Sequence, residues 1–190
     1  YNIRQLLRFN NRELNKRIKD VWGDVRETSK DKQAQIAHYK AMLTPRLLRN
    51  ADRENGRRIF SKTCAACHTL FGEGGKVGPD ITGSNRANLD YILDNIVDPS
   101  AVLGKDYWMT LIATSDGRII SGLLQKETDS ALTVRTINDT VIVAKSDIED
   151  RKLSKLSVMP ERLLDTFKPN EVRDLIAYLR SPTQVALQGP

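Results

Sequence analysis

The stretch Cys64-Ala65-Ala66-Cys67-His68 decides how the rest of this 190-residue sequence is interpreted. It contains both cysteines of the chain and one of its two histidines. A helix predicted from the N-cap Asp52 to about Cys64 precedes it, and a glycine-rich loop over residues 71–85 follows it. Two thiols and an imidazole therefore lie together between the end of a helix and an irregular loop.

The C-x-x-C-H spacing is the attachment signature of c-type haem. Two thiols on one helical turn can reach the two vinyl groups on one edge of a porphyrin, and each can form a thioether. The histidine that follows can coordinate the iron from one side, which is a usual role for histidine in haem proteins. We therefore predict one haem c, held covalently by Cys64 and Cys67, with His68 as an axial ligand.

Two other sites could use the same residues. A redox-active dithiol favours a βα unit of the thioredoxin type, which does not surround this motif. A structural zinc site needs four ligands, and beyond the motif the chain offers only His38 as a further histidine and no further cysteine. Haem binding accounts for the pattern best.

The opposite side of the iron has five possible arrangements. Met159 is followed by Pro160, which stiffens the backbone beside a ligand. Met109 lies in a predicted strand, Met42 lies on the apolar side of a helix, where methionine usually fills space, and His38 lies in a polar helix. The fifth arrangement is an open site without a protein ligand. The sequence favours Met159.

Composition narrows the class of protein. The chain is 39% hydrophobic and 28% charged, as expected for a globular protein. It has no run of eighteen apolar residues, so we expect no membrane span. Residues 1–60 contain 15 Lys and Arg against 7 Asp and Glu, whereas residues 61–190 contain 15 against 17. The excess positive charge is interleaved with acidic residues at helical spacing, so we expect a solvated helical face and no nucleic-acid binding.

The chain divides into three parts by pattern. Residues 1–50 are predicted to be helical, beginning with a stripe of Ile3, Leu6 and Leu7, and are interpreted as an arm or linker too polar to form its own core. Residues 51–190 are predicted to form the main domain. Within it, residues 105–148 contain four short β runs, with a hairpin turn at Asp116-Gly117. A final helix is predicted to begin at Pro169.

These motifs resemble the class I cytochrome c family. The matching stretches are Asn55-Gly56-Arg57-Arg58-Ile59-Phe60, Cys64-x-x-Cys67-His68, Gly78-Pro79-Asp80, Met159-Pro160 and Glu171-Val172-x-Asp174-Leu175-Ile176-Ala177-Tyr178-Leu179. The sequence is most similar to the haem-binding domain of multidomain, dehydrogenase-like proteins of planctomycetes and verrucomicrobia, a likeness carried by residues 69–72 and 83–88. The resemblance implies a mainly α fold: a cytochrome c helical core with a small antiparallel β insertion and an N-terminal helical arm.

The resemblance also implies roles for individual residues. Gly56, Phe60 and Tyr178 match the small residue and the aromatic contact at which the first and last helices of the family cross. Pro79 matches the proline whose carbonyl accepts a hydrogen bond from the far nitrogen of the histidine ligand, here His68, and so fixes its orientation.

A further group of expectations concerns the haem surroundings and the chain length between ligands. Asn85 or Arg86 is expected to reach a haem propionate, from its position and charge. His68 and Met159 are 91 residues apart, more than in small members of the family. Removal of residues 105–148 would leave a compact spacing, so the β insertion explains the excess.

The implied function is outer-sphere electron transfer, without catalysis, by a His/Met-ligated haem. Covalent haem attachment implies a periplasmic or otherwise extracytoplasmic location, and the electron donor would be a linked dehydrogenase domain or a partner protein. Two alternatives remain open. One is an open-site haem enzyme or gas or redox sensor of the peroxidase kind. The other is an interaction module in which the haem is structural.

Overall fold

The computed structural model describes residues 11–22 and 26–188, and its elements follow one another in this order. The helices are α1 (Arg12–Trp22), α2 (Lys30–Met42), α3 (Pro45–Arg49), α4 (Arg53–Thr63), α5 (Leu89–Val97) and α6 (Pro169–Leu179). The strands are β1 (Thr69–Leu70), β2 (Glu73–Gly74), β3 (Met109–Thr114), β4 (Ile119–Glu127), β5 (Ala131–Arg135), β6 (Thr140–Ala144) and β7 (Ile148–Ser154). Short 3₁₀ turns include Leu163–Thr166. The predicted stripe of Ile3, Leu6 and Leu7 lies outside the described residues.

Helices α4 and α6 cross at the centre of the helical core. Gly56 lies at the crossing, where an added Cβ would overlap the carbonyl of Asp174 and lie 2.8 Å from the Cβ of Tyr178. The rings of Phe60 and Tyr178 meet one turn further on, with centroids 5.6 Å apart and planes tilted by 58°. A pair of this kind adds roughly 0.5–1.5 kcal/mol beyond its buried area. The crossing that the sequence analysis expected is present.

The starts of both crossing helices are fixed by capping groups. The Asp52 carboxylate accepts a hydrogen bond from the backbone N–H of Asn55 at 2.9 Å, as an N-cap residue does. The Glu171 carboxylate accepts one from the backbone N–H of Lys168 at 2.7 Å, with Pro169 in the first turn of α6. The predicted helix starts are therefore confirmed.

Helices α2 and α3 contribute to the same hydrophobic core. Tyr39, Leu43 and Leu48 are buried there together with side chains from α4, α5 and α6. The polar composition of this region predicts an arm or linker. Its few apolar side chains, however, point inward and cover the helical core. The division of the chain at residue 50 stays a prediction.

Five antiparallel strands form a sheet in the order β6-β5-β4-β3-β7. Gly117 has a φ of 84° in the turn between β3 and β4, which glycine adopts readily. Four of its strands match the predicted β runs, whereas β7 has no predicted counterpart and extends the sheet beyond residue 148. The structure is 40% helix and 21% strand. A helical core with a substantial sheet describes it better than a mainly α fold.

The sheet has its own hydrophobic cluster. Its buried side chains are Ile112, Ile120, Leu132, Val134 and Val143. The buried side chains of the helical core form a separate cluster. Among the helices that the structure describes, we find none with the length and apolar character needed to cross a membrane.

Replacement of Leu43 tests whether the N-terminal helices stabilise the core. Leu43 is 1% exposed, and Leu→Ala at such a site typically costs about 2–5 kcal/mol. We expect Leu43→Ala to lower the free energy of unfolding by an amount in this range, measured by denaturant titration. Leu47→Ala, at a residue that is 44% exposed, is the control and should change the free energy much less. Equal small effects would indicate that this region does not support the core.

A buried carboxylate joins the N-terminal region to the end of α5. Asp98 is 1% exposed, and it accepts hydrogen bonds from Arg26 at 2.6 Å and Lys32 at 2.8 Å. Burial by itself would raise the pKa of Asp98, but the bonds from Lys32 and Arg26 outweigh burial and hold that pKa below its ordinary value.

The lowered pKa of Asp98 predicts a loss of stability in acid. The contribution of the carboxylate is present above the ordinary aspartate pKa of about 4. It is lost as the pH falls through the lower pKa of the folded protein. We therefore expect Asp98→Asn to flatten the acid limb of a plot of unfolding free energy against pH. Asp90→Asn, at an exposed ion pair with Lys40, should leave that limb nearly unchanged, and a similar flattening would contradict the assignment.

Candidate functional site

The Cys64–His68 motif forms a tight turn that continues α4. Cys64 caps the helix, and its N–H donates to the carbonyl of Phe60 at 2.8 Å. The carbonyl of Cys64 then accepts from the N–H groups of Cys67, at 3.1 Å, and His68, at 2.9 Å. The fold therefore places both thiols and the imidazole on about one turn of backbone, as the attachment signature requires.

No disulfide joins Cys64 and Cys67, and both side chains are partly buried. Burial, reinforced by the proximity of Cys67, raises the pKa of Cys64 to about 12. Burial also raises the pKa of Cys67. Reactive dithiol sites depend on thiolates with lowered pKa values. The surroundings of this pair therefore oppose the dithiol alternative.

The imidazole of His68 is oriented by a backbone carbonyl. Its Nδ1 lies 3.0 Å from the carbonyl oxygen of Pro79. Because a carbonyl oxygen can only accept, Nδ1 carries the proton in this bond, and a neutral ring then has its lone pair on Nε2. This is the contact that the family resemblance implies for Pro79. It prepares Nε2 to bind a metal, since partners of this kind fix the tautomer and the ring direction.

The glycine-rich loop packs closely against the motif. The N–H of Gly75 donates to the carbonyl of Ala65 at 2.7 Å, and the N–H of Gly78 donates to the carbonyl of Cys67 at 2.8 Å. A Cβ on Gly78 would lie 2.6 Å from Cε1 and 2.8 Å from Nδ1 of His68. The imidazole therefore lies against bare backbone, which fits a haem ligand held in one orientation.

Met159 lies on a different segment of the chain, between β7 and the 3₁₀ turn. Its side chain is partly buried. Its N–H donates to the hydroxyl of Ser157 at 3.1 Å, and the N–H of Ser157 donates to the hydroxyl of Ser100 at 3.1 Å. The segment is therefore attached to the loop that follows α5. The role of Met159 as an iron ligand stays a prediction.

The other candidate ligands have ordinary structural surroundings. Met109 begins β3, where it pairs with Leu123 and Ser154 of the neighbouring strands. Met42 packs against the helical core, and His38 is exposed on α2. Across residues 11–22 and 26–188, no group of three His, Cys, Asp or Glu side chains is arranged to hold a metal ion.

Arg86 has partners other than the expected haem propionate. It is 9% exposed. Its guanidinium donates to the carbonyls of Leu179 and Ser181 at 2.6 and 2.8 Å, and to that of Thr82 at 2.9 Å. These bonds hold the guanidinium of Arg86 at the C-terminal end of α6, where a cation is favourable. These contacts give Arg86 a structural role, and a propionate contact by Arg86 or by Asn85, which is exposed, stays a prediction.

The β insertion contacts the glycine-rich loop that follows the Cys64–His68 motif, a contact that the sequence patterns do not predict. The guanidinium of Arg135, at the end of β5, donates to the carbonyl of Lys76 at 2.8 Å. An open cleft of about 430 Å³ separates the turn between β5 and β6 from Ala66 and the loop around Val77. No local pattern signals this contact, because the two partners are 59 residues apart.

A comparison with protein families agrees with this arrangement. The family model described as Cytochrome c matches residues 53–116, about a third of the chain. The match supports a cytochrome c domain, and such domains bind haem covalently and carry electrons. The matched segment contains the Cys64–His68 motif, Phe60, Pro79 and Arg86, whereas Met159 and Tyr178 lie beyond its end. A search of curated proteins finds no match.

Substitution of Gly78 tests the orientation of His68. An alanine Cβ there would collide with the imidazole, so we expect Gly78→Ala to displace the ring, lower the haem-to-protein ratio of the purified protein and alter its ferric absorption spectrum. Gly83→Ala is the matched control in the same loop, because a Cβ at that position meets no atom within 4 Å. A normal haem content and spectrum in Gly78→Ala would show that the ring position does not matter.

Proposed function

We propose that this chain is an electron-transfer cytochrome c domain with one haem, attached through Cys64 and Cys67 and ligated by His68 and Met159. The observation that carries the proposal is the orientation of the His68 ring. Its Nδ1 is engaged by Pro79, so its Nε2 is left for iron, and Cys64 and Cys67 lie within the same turn. The cytochrome c match contains Cys64, Cys67, His68 and Pro79, whereas Met159 lies beyond its end.

The bound haem would supply the one-electron couple, and the chain would supply its surroundings. His68 would give a ligand whose direction is fixed from behind by Pro79 and from the side by Gly78. Met159 would give a neutral, soft thioether, a ligand that raises the reduction potential relative to a second histidine. The backbone N–H groups of His68 and Met159 are both hydrogen-bonded within the protein. We therefore expect the two ligands to move little when the iron changes its oxidation state.

The proposal places the protein among electron carriers rather than enzymes. Cytochrome c domains are generally carriers and are typically extracytoplasmic. We propose a periplasmic or other extracytoplasmic location for this chain. Its electron donor would be a linked dehydrogenase domain or a separate redox protein. The planctomycete-type subgroup remains part of this proposal.

The open-site alternative lacks an obvious acid–base group. A peroxidase-like haem site needs a side chain that moves protons on the reactive face. The second histidine of the chain, His38, is exposed on α2. Its ring meets Tyr39 edge-on, with centroids 5.5 Å apart, which is an ordinary surface contact.

Replacement of Met159 tests the proposed coordination. We expect Met159→Ala to open the sixth position, so that the ferrous protein binds carbon monoxide readily and the midpoint potential falls. Carbon monoxide difference spectra and a potentiometric titration measure the two effects. Met109→Leu, a substitution that conserves shape, is the control and should produce neither effect.

Three outcomes would contradict the proposed function. Rapid carbon monoxide binding by the unmodified ferrous protein would favour an open site. If Met159→Ala changes neither property while Met109→Leu changes both, the ligand lies in the sheet. A haem that exchanges electrons only slowly would favour the interaction module.

A further inference from the structure

The segment that contains Met159 has little regular structure of its own. Between the end of β7 at Ser154 and the start of α6 at Pro169, its only helical piece is the 3₁₀ turn Leu163–Thr166. Leu164 is buried in the helical core, whereas Pro160 and Glu161 are exposed. The position of Met159 therefore depends on contacts that other elements make with this segment.

One face of α2 supplies such contacts. The Lys32 ammonium bonds to the carboxylate of Glu161. The amide of Gln35 donates to the Asp165 carboxylate at 2.7 Å, and the hydroxyl of Tyr39 donates to the same oxygen at 2.6 Å. Positions 32, 35 and 39 are spaced by three and four, so they share one helix face. Three bonds from α2 thus reach two carboxylates of the segment. Glu161 lies just before the 3₁₀ turn, and Asp165 lies within it.

This helix face is itself held firmly. Lys32 also bonds to the buried Asp98 at the end of α5, and Tyr39 is 7% exposed within the helical core. Burial, and then the bond to Asp165, raise the pKa of Tyr39 to about 12. The phenol therefore keeps its proton and remains a donor throughout the neutral range. The contacts come from an anchored helix and not from a loosely attached arm.

We propose that α2 positions the Met159 segment, with Lys32, Gln35 and Tyr39 as positioning residues that hold Met159 available to the haem iron. The proposal rests on the proposed function, since it takes Met159 to be the ligand. It assigns a role to a helix that lies entirely outside the cytochrome c match at residues 53–116. Hydrogen bonds to charged groups are the stronger ones in proteins, so a small number of them can favour one arrangement of an irregular segment.

The double variant Gln35→Met/Tyr39→Phe tests the proposal in the full chain with haem attached. It removes both bonds from α2 to Asp165 and leaves the buried pair of Lys32 and Asp98 intact. The single variant Tyr39→Phe keeps the ring in the core and is used if the double variant folds poorly. Lys40→Met is the matched control, because Lys40 lies on the same helix and pairs with Asp90 of α5.

Two measurements are made on each variant. Amide hydrogen exchange over residues 157–167 reports whether the segment is held, and strands β5 and β6 serve as an internal reference. The rate of carbon monoxide binding to the ferrous protein reports how often the sixth position opens. We expect both to rise roughly tenfold or more in the double variant, as the loss of hydrogen bonds to a charged group implies. Lys40→Met should change neither.

The outcomes separate this proposal from the proposed function. Unchanged exchange over residues 157–167 in both Tyr39 variants would overturn the positioning role. Faster exchange without faster carbon monoxide binding would also overturn it, provided that Met159→Ala does open the iron. If Met159→Ala itself has no effect on carbon monoxide binding, the failure lies with the assigned ligand.

Discussion

The hydrogen bond between His68 and the carbonyl of Pro79 is the constraint on which the site depends. A hydrogen bond to the far nitrogen of an imidazole fixes the tautomer and the direction in which the free nitrogen binds a metal. Here that direction is set by a carbonyl behind the ring and by the bare backbone of Gly78 beside it. Two further backbone bonds tie the glycine loop to Ala65 and Cys67. The motif turn, the ring and the loop are therefore joined by several direct contacts.

The helical core holds this part of the site in place. Cys64 ends α4, so any shift of α4 would move the thiols. The crossing with α6 prevents such a shift, because Gly56 allows the two helices to approach more closely than any side chain would permit. Arg86 adds a second connection, because its guanidinium joins the loop after the motif to the carbonyls of Leu179, at the end of α6, and Ser181, just beyond it. The α6 helix thus supports the site although it carries none of its expected ligands.

Much of this could be predicted from the sequence, where the signals are local. The motif, the cap at Asp52, the start of the last helix at Pro169 and four strands all follow from short patterns. Strand β7 could not be found because it is an edge strand whose residues are mostly exposed, so it lacks alternating apolar positions. The packing of α2 was missed for a similar reason. A helix that buries Tyr39 and presents polar groups to carboxylates elsewhere has no strong apolar stripe. The bonds of Arg86 were missed because a sequence shows a charge but not its partners.

The β insertion has a closer relation to the site than its separate hydrophobic cluster suggests. Arg135 bonds to the carbonyl of Lys76, in the same loop that supplies Gly78 and Pro79. The inserted sheet thus contacts the glycine-rich loop on one side. On the other side of the insertion the chain continues directly into the segment with Met159. A single insertion therefore connects, through space and through the chain, to both expected ligands. Arg135 of the sheet and α2 would then act on the site from outside residues 53–116, the part that the cytochrome c match covers. Arg135 borders the loop behind His68, and α2 holds the segment that carries Met159.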